Sequence, residues 1–242
     1  MTDVLDVNRE GAVTRLTLSR PARGNALDAA LVEDLIAAVD AASADGTRLL
    51  VLQGAGPSLC TGLDLGGLAD ASDGDLLHRL VRIETLLQAV FHAPMPTLAL
   101  AHGRVFGAGA DLFLACRSRI ADPGARFSFP GPRFGIALGT GRLAFRIGAD
   151  AALALLATTR VVDASEAAGL GIATRLAPQS GWPAAIDRAA ADAAVLAPDI
   201  AHDLAAVALP DMRDRDLAAL VRTAGRPGLK GRIESYVASL RR

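Results

Sequence analysis

The sequence contains a single lysine, Lys230, among its 242 residues. A Schiff-base mechanism therefore has one candidate amine, and it lies far along the chain in a polar segment. There are two cysteines, Cys60 and Cys116, both in apolar contexts and without the spacing of a metal site. Serine-hydrolase elbows and HExxH zinc motifs are absent. Neither sign of charge dominates: 25 Lys and Arg against 26 Asp and Glu leave a net charge of −1, which gives no electrostatic case for nucleic acid. No apolar run reaches membrane-spanning length, and no basic, apolar leader opens the chain. A soluble, reduced, cytoplasmic protein is the expectation, with no membrane partner.

What is present is ample core material, 51% hydrophobic, with a general richness in alanine. That suits one large domain, or a core with a smaller C-terminal helical layer. Alternation around Glu10–Gly11 predicts a β-hairpin over 4–19. Asp28 is a good N-cap for a helix over 29–42, and Asp45-Gly46 turns into an apolar strand over 49–53. Residues 54–65 are a loop dense in turn formers, followed by a helix over about 75–91. Strands are expected at 118–121 and near 126–128, and helices dominate from Gly139 onward. Strands alternating with helices and then a helical tail argue for an α/β core over 1–180 and a helical region over 181–242.

The chain is organised around residues 96–116, PTLALAHGRVFGAGADLFLAC. This reads as a strand over 97–101, a tight turn at His102–Gly103, and a helix opening near Gly107–Ala108. A glycine-rich helix start leaves backbone N–H groups unpaired, with the positive end of the helix dipole behind them. Such a place binds an anion or a developing oxyanion. A dinucleotide fingerprint fails here, because Leu112 stands where the third glycine or alanine belongs.

The order of motifs resembles the crotonase (enoyl-CoA hydratase/isomerase) superfamily. The matching pieces are Arg20–Leu27, the Gly54–Leu65 loop, segment 96–116, the FxFPGPRxG loop at 127–135, and the runs 159–167 and 169–173. Six pieces in the family's order cover nearly the whole chain. The resemblance implies a spiral of ββα units with a C-terminal helical region that trimerises, as a homotrimer or a dimer of trimers. It implies an acyl-CoA substrate, coenzyme A being part of the thioester, with no permanently bound cofactor or metal. It also implies two backbone donors to an enolate-type oxyanion, at Leu63 and Ala108. Backbone donors do not depend on side-chain identity, so two apolar residues can serve. For coenzyme A the resemblance points to Ala22, Arg23, Leu63 and Asp64, with Lys230 reaching from a neighbouring subunit.

Hydratases of this family use two glutamates. The first position is Asp111 here, three residues after Ala108 and so on the same helical face. It reads either as a catalytic carboxyl or as an acid complementing the helix dipole. The second position falls on Gly131, which has no proton to give or take. Hydration of a conjugated thioester by two carboxylates is therefore not supported, and plain isomerisation is weakened. The Gly131-Pro132-Arg133 loop is somewhat similar to that of dihydroxynaphthoyl-CoA synthases, but Leu138 stands where that class expects an aspartate. Asp64 reads as a loop brace, His102 as a turn hydrogen-bonder and Cys60 as packing, while Glu84 faces either the acyl pocket or water. Two functions compete: an enzyme acting on an acyl-CoA, and a carrier or sensor that holds one without turning it over.

Overall fold

The computed structural model describes residues 4–240. The predicted hairpin is present as β1 (Leu5–Glu10) and β2 (Val13–Leu18), with Gly11 at φ +61° in the turn, a conformation glycine adopts freely. Chain order continues with α1 (Ala29–Ala44), capped by the Asp28 carboxylate on the Leu31 amide at 2.9 Å. Then come β3 (Leu49–Gly54), α2 (Asp73–Phe91), β4 (Thr97–Ala101), β5 (Arg104–Phe106) and α3 (Ala108–Ala115). They are followed by β6 (Ser118–Ala121), β7 (Arg126–Ser128), α4 (Thr140–Ile147), α5 (Ala149–Thr158), β8 (Val162–Asp163), α6 (Ala164–Leu170) and β9 (Arg175–Leu176). The tail is helical: α7 (Trp182–Ala193), α8 (Pro198–Ala208), α9 (Arg213–Ala224) and α10 (Leu229–Ser239).

The larger sheet has the order β1-β2-β3-β4-β6-β9, parallel throughout except for the β1–β2 hairpin. A smaller sheet, β5-β7-β8, stands beside it. The chain alternates between the two: β4 leads to β5 and then α3, and β6 leads to β7 and then, after a loop, α4. Two single-residue bridges extend the same pattern backward, Cys60 with Val105 and Leu27 with Leu63. Each turn is thus a strand in the large sheet, a short strand or bridge beside it, and a helix.

The large sheet is covered on both faces, so its central strands are apolar at consecutive positions. Leu50 and Leu52 join the main core with α1, α2 and α3. Leu49, Val51, Leu98, Leu100 and Ile120 face the other way, onto Trp182, Ala185 and Ile186 of α7. The helical region after residue 180 therefore begins by covering this sheet. A third cluster joins Leu76 and Leu80 of α2 to Leu220 of α9 and Leu229 and Ile233 of α10, with Ile136 between them.

Candidate functional site

The loop after β3 and the start of α3 are pressed together. Gly62, at φ +92°, approaches so closely that a Cβ there would lie 2.8 Å from the Phe106 carbonyl and 3.1 Å from the Ala108 nitrogen. A Cβ on Gly109 would collide with the Cys60 carbonyl. Glycine is required at both places by backbone approach. The Leu27–Leu63 bridge then fixes the direction of one amide. Leu27 donates to the Gly62 carbonyl at 2.8 Å and accepts from the Asp64 amide at 3.1 Å. In a parallel pairing the residue between those two directs its own N–H to the opposite side. The Leu63 amide therefore points away from Leu27. Ala108 is the first residue of α3, where the N–H has no partner within the helix. Its backbone is unstrained, since only Asn25 and Thr159 have positive φ among the described non-glycine residues.

Leu63 and Ala108 both line a cavity of about 360 Å³. Its walls are mainly apolar, with Leu80 from α2, Phe106 at the end of β5, Phe129 and Ile136 from the loop after β7, and Ile233 from α10. Tyr236 and Arg133 stand together at one side, the guanidinium carbon 5.1 Å from the ring centroid. Gly131, at the second family carboxylate position, lines the cavity and supplies no titratable group.

Asp111 lines the same cavity and is only 5% exposed. Among the described residues its carboxyl makes no hydrogen bond or ion pair. Burial pushes this carboxyl well above the usual carboxylate range; Arg142 opposes the shift, and Glu84 and Asp216 add to it. These three neighbours are themselves buried, at 2%, 0% and 7% exposure for Arg142, Glu84 and Asp216. Arg142 grips Glu84 with both terminal nitrogens, Nη1 at 3.0 Å from Oε1. The same Nη1 lies 3.6 Å from Asp216 Oδ2. Glu84 thus faces neither the cavity nor water. Nothing in the sequence pointed to Arg142 or Asp216. The one legible sign is the pair of glycines flanking Thr140, because a Cβ at Gly139 would collide with the Asp111 carboxyl and one at Gly141 with that of Asp216.

The remaining predicted residues fall around this centre. Asp64 holds its loop: Oδ1 accepts from the Gly66 amide at 2.7 Å, and Oδ2 meets Arg20 at 2.7 Å. Burial works against its charge, but the Gly66 amide, Arg20 and Arg23 together keep the carboxyl below its ordinary value. Ala22 and Arg23 are exposed in a short turn, tied to the site through Thr61, whose amide donates to the Gly24 carbonyl at 3.0 Å. Lys230 lies in the first turn of α10 and donates through Nζ to the Ala69 carbonyl of its own chain. His102 lies away from the cavity, its Nε2 2.7 Å from the Gly56 carbonyl. Cys60 is fully buried, and burial raises its thiol to about 12.

Comparison with known proteins identifies the family to which the chain belongs. The sequence model of the enoyl-CoA hydratase/isomerase family matches residues 8–208. A Mycobacterium tuberculosis protein described as a probable enoyl-CoA hydratase is 35% identical over 193 residues, 77% of each chain. A crystal structure of an enoyl-CoA hydratase/isomerase family protein from Bordetella parapertussis superposes with a TM-score of 0.96 at 48% identity, over 98% of this chain and 99% of that one. The fold extends to an enoyl-CoA hydratase of Bacillus halodurans at a TM-score of 0.85 and 21% identity, over 96% of this chain and 99% of that one. The chain belongs to the enoyl-CoA hydratase/isomerase family of the crotonase superfamily.

Proposed function

We propose that this chain acts on an acyl-CoA thioester, with coenzyme A entering as part of the substrate and the carbonyl oxygen received by the Leu63 and Ala108 amides. One observation carries the reading: both residues, with main-chain amides left free, line an apolar cavity of about 360 Å³ that also holds the unpartnered Asp111 carboxyl. Two preorganised donors on one oxygen stabilise an enolate-type charge, and losing one typically slows such reactions by about 10²–10³. Among the described residues that line the cavity, Asp111 supplies the single carboxyl, and it is the acid–base group. The activity is of the lyase or isomerase kind found under the family's name, by a route other than two-carboxylate hydration, because Gly131 supplies no second group. Ala22, Arg23 and Asp64, next to Leu63, are the coenzyme A side of the site, with Lys230 as a further contact. The free protein is taken to work in the cytoplasm.

The same glycine supports a second reading, an acyl-CoA carrier or sensor that binds without turnover. Titration of the purified protein with crotonyl-CoA and longer acyl-CoAs, with product analysis, separates the two. The enzyme reading predicts turnover that falls by about 10²-fold or more in Asp111→Asn. Tight binding without any product, unchanged in Asp111→Asn, establishes the carrier, and no binding at all refutes both. Self-association as a homotrimer or dimer of trimers is supported by the apolar row Ile200, Leu204 and Val207 on α8, exposed at 47%, 57% and 89%. Sedimentation equilibrium should give a trimer or hexamer, and a monomer would contradict it.

A further inference from the structure

Behind the cavity wall three helices bring buried charges together in unequal numbers. Glu84 comes from α2, Arg142 from α4 and Asp216 from α9, and Asp111 of α3 faces all three. Both terminal nitrogens of Arg142 are on Glu84, whose Oε1 also accepts from Gln88 at 3.0 Å. Asp216 takes a weaker share of Arg142 at 3.6 Å and a contact from the more exposed Arg215, Nε to Oδ1 at 3.3 Å. Among the described residues no cation forms an ion pair with Asp111. Arg142 is the nearest charge of opposite sign, its terminal nitrogens taken by Glu84 and Asp216 and its buried Nε without a hydrogen-bond partner. Across the cavity the groups that face it are Arg133 and Tyr236, which stack on one another, with Arg133 also reaching Ser239 at 3.3 Å. The first turn of α4 lies against Asp111, but the dipole of a short helix offsets less than the cost of leaving a buried carboxylate unpaired.

Resting on the thioester reading of the cavity, we propose that Glu84, Arg142 and Asp216 are positioning residues. With the guanidinium committed to Glu84, they leave the Asp111 carboxyl neutral and aimed into the cavity, where it donates a proton. When a nucleophile bearing a proton, such as water, adds to the β-carbon of a conjugated thioester, the C=C electron pair shifts to give an enolate held by the two amides. The nucleophile's proton leaves to solvent. The Asp111 O–H bond then breaks and the electron pair of the α-carbon forms the new C–H bond. The carboxylate left behind recovers its proton from solvent.

Infrared difference spectroscopy of the ligand-free protein tests this. At neutral pH the wild-type chain should show the carbonyl band of a protonated carboxyl that is lost in Asp111→Asn. Glu84→Gln and Asp216→Asn, nearly the same in shape, each remove a negative neighbour and release part of Arg142. In at least one of them the titration midpoint of that band should fall by about one pH unit or more. A merely structural role would change unfolding stability and leave the midpoint in place. No band lost in Asp111→Asn at neutral pH, or a midpoint unchanged in both charge variants, overturns the proposal. The spectrum needs no acyl-CoA, so it stands or falls separately from the thioester reading, whose own failure would appear as absent binding in the titration.

Discussion

Asp111 carries a consequence for stability as well as chemistry. Its folded-state affinity for a proton is raised, chiefly by burial, above that of an unfolded aspartate near pH 4. Between those two values the native chain holds a proton that the unfolded chain has released, so stability falls as pH rises through the window. The slope for one group is up to about 1.4 kcal/mol per pH unit. Asp111→Asn has no such proton to lose. Its stability relative to wild type should therefore increase with pH above about 4, in denaturant unfolding at a series of pH values; parallel curves would contradict the assignment. At this scale the sequence was only partly legible. Asp64 does hold its own loop, through the Gly66 amide two residues on, whereas His102 bonds not within its turn but across to the Gly56 carbonyl, 46 positions away. The Glu84–Arg142 pair spans 58 positions and joins two helices, so no local pattern reports it.

Among the elements, α10 decides how the cavity is closed, since Ile233 and Tyr236 line it from that helix. Its N-terminus has no capping side chain of its own. Asp73, in the first turn of α2, serves instead: its carboxylate accepts from the amides of Gly228 at 2.8 Å, Leu229 at 3.2 Å and Lys230 at 2.8 Å. Those amides, led by Lys230, hold the Asp73 carboxyl below its ordinary value. Asp73→Ala should speed amide hydrogen exchange over 228–239 and weaken acyl-CoA binding while leaving the sheet protected; unchanged exchange there would show that α10 is held by its apolar face alone. Sequence periodicity found the long helices to within a few residues, and the apolar run of β4 marked its bounds at 97–101. It missed β5, which has only three residues after the Gly103 turn and depends on pairing with β7 and on the bridge to Cys60. Pairing of that kind is set by partners elsewhere in the chain.

For the whole molecule, the repeating ββα path is hard to read from residues because its second strand shrinks to single bridges at Leu27 and Cys60 in the early turns. The order of short motifs carried the fold where periodicity could not. What the spiral achieves is one junction, at which the loop after β3 and the start of α3 meet with glycines on both sides and two amides left without acceptors. The central claim is that these amides share the thioester oxygen, and isotope-edited vibrational spectroscopy of an acyl-CoA labelled at its carbonyl reads it directly. Ala108 occupies the first helical position, which proline's backbone angles suit; Ala108→Pro replaces the N–H by a ring carbon, removing one donor, so acyl-CoA binding is measured alongside the shift. The account predicts that the carbonyl stretch moves to lower frequency on binding and that much of this shift disappears in Ala108→Pro. A bound acyl-CoA whose carbonyl does not shift, or shifts equally in the proline variant, would contradict it.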